Sequence, residues 1–316
     1  MKKYIIAVFL LFIFITTVAA QVEKKTFDYA LKGIDTLRLD KYEDLSLKGQ
    51  KPCIIFMFGG GFVGGSRNEK SNASYLQKLA QNGYVAIGID YRLGLKDVPA
   101  RMKQGEKVGA REIVALMDSS INIAVEDLYD ATSFVIKNAQ NWNIDTALIV
   151  ANGSSAGAIS VLQAEYMICS NQNLSKRLPE GFNYAGVIAF AGAIFSTNGN
   201  LKWAKNPAPI MFFHGDADSN VPYNKVKLFK LGFFGSKNLS DQLNKMQTPY
   251  YFYDVENAAH EIAGSPMQRN LNEINTFMDK FVINKEKLII HTKMTQIGKP
   301  EMKKKFGIKE YIKSNF

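Results

Sequence analysis

Residues 147–167 read ALIVANGSSAGAISVLQAEYM, and this stretch decides the fold class. The apolar run 147–150 predicts a buried strand, and residues 158–167 predict a helix. Between them, Gly153-Ser154-Ser155-Ala156-Gly157 fits the pattern G-x-S-x-G. A strand that enters a helix through one sharp turn holds its serine in a strained conformation, and only small residues can pack two positions on either side. The pattern alone would arise by chance in roughly one such chain in ten, but strand, motif and helix together predict that Ser155 is a nucleophile.

A second glycine motif follows a run that is apolar throughout. Residues 53–58, CIIFMF, predict a strand buried on both faces of a sheet, and Gly59-Gly60-Gly61 come next. Consecutive glycines let a backbone approach a substrate and aim its amides inward. In acyl transfer such amides would hold the negative oxygen of the tetrahedral intermediate, with the amide of Ala156 as a further donor. A plain glycine-rich turn is the alternative, and a phosphate-binding loop is disfavoured because no GK[ST] follows.

Two candidate acids follow a later predicted strand, residues 209–213. Asp216 and Asp218 lie in the sequence HGDADSNVP, which begins at residue 214. A carboxylate that leaves the end of a parallel strand lies at the same sheet edge as the serine, where it could orient an imidazole. An Asp-rich turn that caps the following helix is the alternative.

The candidate base is chosen by elimination from three histidines. His214 lies within the motif that should supply the acid, and His291 lies in the C-terminal tail. His260 remains, on the loop after the predicted strand 250–254, and the order Ser, Asp, His along the chain favours it as the base. A loop histidine taken alone is more often a surface residue.

In this order the motifs resemble the carboxylesterase/lipase branch of the α/β-hydrolase superfamily, over roughly residues 26–283. They are especially similar to exported bacterial esterases that act on plant polysaccharides. The resemblance implies an α/β fold with a mostly parallel eight-stranded sheet and helices on both faces. It also implies that Asp218, rather than Asp216, is the acid. The oxyanion donors that it implies are Gly60, Gly61 and Ala156. These esterases usually have His before the three glycines, whereas this sequence has Phe58, which puts the shape of the loop in question.

The predicted activity is hydrolysis of carboxylic esters through an acyl-enzyme, without a metal or organic cofactor. Ser155 would be the nucleophile, His260 the base and Asp218 the acid. Short-chain or carbohydrate-linked esters are the expected substrates. The alternatives are a peptidase with the same triad and an inactive binding protein on a hydrolase scaffold. The first usually needs a propeller or large cap, and the second usually lacks a triad residue.

Short apolar runs alternate with longer amphipathic ones from residue 26 to 283, which predicts a sheet with helical crossovers. Segment 93–121 is charged, contains Pro99, Gly105 and Gly109, and predicts a small lid-like insertion above the sheet. The predicted strands are 26–33, 36–42, 53–58, 84–89, 147–150, 185–191, 209–213 and 250–254. The predicted helices are 70–82, 124–138, 158–169, 221–231 and 267–281.

The N-terminus has the pattern of a secretory signal peptide. Lys2 and Lys3 precede the apolar run 4–18, and small residues then lead to Gln21. The run is shorter than the roughly 20 residues that a membrane span needs, so a retained anchor is the weaker interpretation. Residues 1–20 are therefore predicted to be cleaved, which places the mature protein in the periplasm or outside the cell.

The formal net charge of +10 lies mostly at the two ends. Lysines concentrate in residues 280–316, and residues 21–279 are nearly neutral, which argues against nucleic-acid binding. We therefore divide the chain into a catalytic domain, 21–283, and a basic, solvated C-terminal extension, 284–316. Cys53 and Cys169 lie in apolar surroundings and predict buried free thiols, although export would permit a disulfide. Neither has neighbours at zinc-ligand spacing.

Overall fold

The computed structural model describes residues 21–304 and residue 307, and its twelve strands form two sheets. In chain order the strands are β1 (Val22–Lys32), β2 (Asp35–Asp44), β3 (Lys51–Met57), β4 (Val85–Ile89), β5 (Ile144–Ser154), β6 (Gly186–Phe190), β7 (Ala193–Ser196), β8 (Ile210–Gly215), β9 (Lys225–Leu228), β10 (Leu231–Gly235), β11 (Tyr250–Val255) and β12 (Ile289–Met294). The main sheet has nine strands in the order β1-β2-β4-β3-β5-β6-β8-β11-β12, and β7-β10-β9 form a small second sheet.

The main sheet is parallel from β4 to β12, and only β1 and β2 run antiparallel to their neighbours. The helices cover both faces, as predicted. They are α1 (Lys70–Gln81), α2 (Val98–Lys103), α3 (Ala110–Asn138), α4 (Ala156–Cys169), α5 (Ser236–Lys245), α6 (Pro266–Arg269) and α7 (Leu271–Phe277). A π-helical segment, Met278–Ile283, continues α7, and short 3₁₀ turns lie at Asn173–Arg177 and His260–Ala263.

The core lies around the central strands. Strands β4, β6 and β8 are buried at every position because helices cover both faces of the sheet. Helix α4 is also buried at every position, which explains why its sequence is apolar all round rather than on one stripe. The apolar runs of the sequence therefore located the central strands and the helix that follows Ser155 correctly.

One predicted element is wrong: residues 221–231 do not form a helix. Strands β9 and β10 instead form an antiparallel hairpin that pairs with β7, and the helix of this region, α5, begins only at Ser236. Residues 225–228, KVKL, alternate lysine with apolar side chains. This period of two suits a strand, and it prevails over the helical interpretation once β7 supplies a partner edge.

The predicted insertion 93–121 is smaller than expected. Helix α3 begins at Ala110, whereas the sequence predicted a helix from residue 124. Met117 and Ile121 are buried, so the second part of the segment belongs to a core helix. Gly105 and Gly109 lie before this helix and not within it, which confines the irregular part of the insertion to the residues around α2.

The main sheet has one more strand than predicted. Strand β12 lies in the segment 284–316, which was predicted to be an extension outside the fold, and it pairs in parallel with β11. Its residues alternate between exposed and half-buried positions, as in an edge strand, so its sequence gave a weak apolar signal. The predicted signal peptide, 1–20, lies outside the described residues. Among the described residues, no helix is long and apolar enough to cross a membrane.

Candidate active site

Ser155 lies on the tight turn between β5 and α4, with φ 51° and ψ −115°. This conformation is strained for a residue with a side chain. The two flanking glycines of the motif are required by space. A Cβ on Gly153 would lie 2.3 Å from the backbone of Gly157, and a Cβ on Gly157 would lie 2.2 Å from the carbonyl oxygen of Met57. The motif therefore requires small residues at both positions, as predicted from the sequence.

A relay of hydrogen bonds joins the three predicted catalytic side chains. The Oγ of Ser155 lies 2.8 Å from Nε2 of His260, and Nδ1 of His260 lies 2.7 Å from Oδ2 of Asp218. An ionised carboxylate only accepts hydrogen bonds, so Nδ1 carries the imidazole hydrogen. Nε2 is then free to accept the hydroxyl hydrogen of Ser155. The structure thus brings together the serine, the histidine and the aspartate that were chosen from the sequence.

Asp218 is buried and lies among four hydrogen-bond donors. Its Oδ1 accepts from the amides of Asn220 at 2.8 Å and Val221 at 3.0 Å, and Oδ2 faces His260 and Nε2 of His214, the latter at 3.3 Å. Burial alone would raise the pKa of this carboxyl, but the hydrogen bonds with His214 and His260 outweigh it. The pKa of Asp218 is therefore held well below its usual range. The group stays charged beside His260.

Asp216, the competing acid, faces away from the relay. Its Oδ1 accepts from the amide of Asn257 at 2.7 Å, and its Oδ2 pairs with Nζ of Lys304 at 2.8 Å. Asn257 lies on the loop that carries His260. Asp216 thus fixes the histidine loop, whereas Asp218 contacts the imidazole itself.

The glycine loop lies directly over the serine turn. A Cβ on Gly59 would lie 3.2 Å from the Cβ of Ser155, which shows how closely the two backbones approach. Gly60 and Gly61 have φ values of 129° and 64°, a region that favours glycine. Ala156 begins α4, where an amide has no intrahelical partner. The loop and this helix end are therefore adjacent, and the role of these amides as oxyanion donors stays a prediction.

Solved structures with the same fold cover most of the chain. Esterase 2 of Thermogutta terrifontis, in a form phosphorylated by paraoxon, matches with a TM-score of 0.57 at 19% identity, over 84% of this chain and 95% of its own. Esterase B of Lactobacillus rhamnosis matches with a TM-score of 0.58 at 16% identity, over 84% of this chain and 87% of its own. The chain therefore has the α/β-hydrolase fold.

Sequence comparison gives matches over shorter stretches of the chain. The family model described as BD-FAE matches residues 39–106, which include the glycine loop and end before Ser155. Gut esterase 1 of Caenorhabditis briggsae is 27% identical over 131 residues, and acetylcholinesterase of Gallus gallus is 28% identical over 128 residues. These matches span only 21% and 15% of the two relatives, respectively.

His214 belongs to the same site, although the sequence assigned it no role. It is fully buried, with Nδ1 2.7 Å from Oγ of Ser236. Its Nε2 lies 3.3 Å from both the carbonyl oxygen of Val221 and the carboxylate of Asp218. Both neighbours are acceptors, so Nε2 carries the hydrogen and donates it towards Asp218. The position of His214 two residues before the Asp-rich turn was the only sequence signal.

Tyr91 supports the glycine loop at Phe58, the position where the resembled esterases usually have histidine. Its hydroxyl donates to the carbonyl oxygen of Phe58 at 2.8 Å, and the two rings pack with centroids 4.5 Å apart. Phe62, at the other end of the loop, packs edge-on to Tyr91 with centroids 6.4 Å apart. The loop thus has a buried aromatic support. The sequence did not reveal this contact, because Tyr91 is remote from Phe58 in the chain.

Both cysteines of the chain are buried free thiols, as predicted. Burial raises the pKa of the Cys53 thiol and of the Cys169 thiol, which keeps both protonated and unreactive. Within residues 21–304 and at residue 307, no group of three or more His, Cys, Asp or Glu side chains is placed to hold a metal ion.

Proposed function

We propose that this α/β hydrolase cleaves carboxylic esters, with Ser155 as nucleophile, His260 as base and Asp218 as the acid that orients it. The observation that carries the proposal is the continuous hydrogen-bond relay from Oγ of Ser155 through His260 to Asp218. A serine hydroxyl is a weak nucleophile at neutral pH unless a base accepts its proton, and His260 is placed to do so.

The reaction would proceed in two acyl transfers. Nε2 of His260 accepts the proton of Ser155 while Oγ attacks the ester carbonyl, and the carboxylate of Asp218 stabilises the imidazolium that forms. The ester C–O bond then breaks, and the alcohol leaves with the proton from His260. Water attacks the acyl group on Ser155 by the same route and releases the acid. The amides that would hold the oxyanion are those of Gly60, Gly61 and Ala156.

We expect small esters to be the substrates, either short-chain or linked to carbohydrate. The solved structures that share the fold are those of esterases, and both matching curated relatives are named as esterases. The sugar-linked part of the proposal rests on the sequence resemblance alone.

The decisive test is hydrolysis of p-nitrophenyl acetate, butyrate and octanoate by the protein and by its Ser155→Ala variant. We expect the variant to lose roughly 10⁴-fold or more in kcat/KM, because the nucleophile is gone, with its thermal unfolding unchanged. Since esterase 2 of Thermogutta terrifontis is phosphorylated by paraoxon, paraoxon should also phosphorylate the wild type and not the variant, as read by mass spectrometry. Retention of more than a few per cent of activity by the variant would show that Ser155 is not the nucleophile.

We also propose that residues 1–20 direct export. The proposal rests on the lysines, apolar run and small residues of that segment. Expression in a bacterial host followed by fractionation and intact-mass measurement tests it. An exported product that begins at Gln21 supports the proposal, and an uncleaved protein that stays in the cytoplasm refutes it.

A further inference from the structure

An apolar cleft of about 520 Å³ lies between the first turns of α3 and the β9–β10 hairpin. Its volume is within the range of small-molecule sites, roughly 300–1,000 Å³. The described residues that line it include neither the Ser155 relay nor the glycine loop. Its wall is formed mainly by Val114, Met117, Phe195, Val226, Leu231 and Phe233. The wall is therefore suited to an aliphatic or aromatic group.

Two cations stand among the residues that line this cleft. Arg111, in the first turn of α3, and Lys230, in the hairpin turn, are both exposed, and no carboxylate side chain lines the cleft with them. Within residues 21–304 neither forms an ion pair, whereas nearby Arg101 pairs with both Glu106 and Glu112. An apolar cavity with uncompensated cations at its rim is complementary to a molecule with an apolar body and an anionic head.

The hairpin turn points to a ligand independently. Phe229, which also lines the cleft, has a φ of 55° and a side chain that is 89% exposed. Positive φ at a hairpin turn favours glycine, asparagine or aspartate, and a bulky aromatic residue there is strained. Neighbouring Leu228 is 49% exposed. The Phe229 side chain buries almost no surface, so packing within the protein does not offset the strain of its backbone. A bound ligand would give the ring an apolar contact.

We propose that the cleft binds an amphipathic anion, a carboxylate or phosphate with an aliphatic tail. The tail occupies the cavity beside Val114 and Phe195, the head lies between Arg111 and Lys230, and the ring of Phe229 covers the tail from the solvent side. The proposed binding requires no group of the Ser155 relay, so the Ser155→Ala variant should retain it. A free fatty acid and an anionic lipid in a bilayer share this chemistry.

The test uses the full-length Ser155→Ala protein, in which ester turnover cannot interfere. Calorimetric titration with dodecanoate, kept monomeric, is compared with titration with dodecanol. We expect dodecanoate to bind at least tenfold more tightly than dodecanol, because only the anion engages the two cations. The double variant Arg111→Gln/Lys230→Gln should bring the two ligands within about threefold of each other. Val114→Trp should weaken both ligands by filling the cavity.

Lys237→Gln is the matched control, because Lys237 is a surface cation that already pairs with Asp241. It should leave dodecanoate binding unchanged, and thermal unfolding should show that every variant is folded. A second arm measures sedimentation with phosphatidylglycerol and phosphatidylcholine vesicles. Binding to the anionic vesicles that is lost in the double variant supports the proposal and identifies a bilayer as the source. The proposal is overturned if neither dodecanoate nor anionic vesicles bind, or if the double variant binds them as the parent does.

Discussion

Ser155 and Phe229 hold their backbones at almost the same positive φ, 51° and 55°, in opposite surroundings. The serine turn is enclosed by the glycine loop and the first turn of α4, and its hydroxyl is hydrogen-bonded to His260. The hairpin turn at Phe229 projects into solvent. Strained backbone persists only where surrounding structure enforces it. The serine turn is enforced by the close packing of Gly153, Gly157 and the glycine loop, whereas the hairpin turn is enforced by the strand pairing of β9 and β10.

The comparison teaches that strain alone does not identify a catalytic residue. At Ser155 it comes with a partnered side chain and with neighbours that cannot move. At Phe229 it comes with an apolar side chain that is 89% exposed. The features of Ser155 are those expected of a reactive group, whereas those of Phe229 are expected of a ligand-binding surface. Variants in the two regions should therefore differ in both the kind and the size of their effects.

The largest loss of activity should follow from breaking the hydrogen-bond relay that joins Ser155, His260 and Asp218. We expect Asp218→Asn to lower kcat on p-nitrophenyl acetate by about 10⁴-fold, because an amide can stabilise the wrong imidazole tautomer and cannot stabilise the imidazolium. The matched control is Asp216→Asn, which should cost less than tenfold, since Asp216 contacts the loop of His260 and not its ring. A larger loss of kcat in the Asp216 variant than in the Asp218 variant would show that Asp216, and not Asp218, is the acid.

A second effect tests the packing around the serine turn. Gly157→Ala should lower the free energy of unfolding by about 3 kcal/mol, because its Cβ would lie 2.2 Å from the Met57 carbonyl oxygen and the backbone must shift. Gly64→Ala is the control, because nothing lies within 4 Å of a Cβ at Gly64. Denaturant unfolding measures both. Equal stability of the two variants would contradict the view that packing enforces the turn.

A third effect concerns pH. Hydrogen bonds from His214 and His260 outweigh burial and hold the pKa of Asp218 below its usual range, whereas the unfolded chain has a value of about 3.9. A lowered folded-state pKa contributes stability that is fully present above the unfolded pKa and is lost as pH falls through the folded one. Wild type should exceed Asp218→Asn by about 2 kcal/mol in unfolding free energy at pH 7. Urea titrations should show this gap narrowing below about pH 4, and a gap that widens there would be inconsistent with the lowered pKa.

The smallest effect should appear at the hairpin turn. Phe229→Asn is expected to raise the free energy of unfolding by about 0.5–1 kcal/mol, because asparagine tolerates positive φ and the exposed ring loses no packing. Thermal unfolding measures the change, and hydrolysis of p-nitrophenyl acetate should stay as it was. Destabilisation by this variant would mean that the ring is held by contacts within the chain, and the contrast with Ser155 would then disappear.

The sequence predicted the parts of this molecule that repeat a local rule. Buried parallel strands are short and apolar throughout, so the strand before Ser155 and the strand before the glycine loop could be found. Since the carboxyl ends of parallel strands share one sheet edge, Asp218 and His260 could be expected near the serine. The side chains meet there, although their catalytic roles still rest on the proposed experiments.

Most features that the sequence did not predict depend on contacts between segments that are remote in the chain. The hairpin replaced a predicted helix because β7 offers a pairing edge, which the alternation in residues 225–228 does not reveal by itself. Strand β12 was missed because an edge strand needs little apolar character. The bond from Tyr91 to the Phe58 carbonyl joins residues that are 33 positions apart. The predicted start of helix α3 was too late in the sequence, because the charged residues of its first turns face solvent and resemble those of a loop.

Strand β12 also determines when the site can assemble during synthesis. The amide of Glu256 donates to the carbonyl oxygen of Met294, and Lys304 pairs with Asp216, the residue that fixes the histidine loop. Ser155 and Asp218 emerge from the ribosome well before these supports do. A nascent chain therefore presents Ser155 and Asp218 before the supports of the His260 loop, so we expect activity to appear only after β12 has docked.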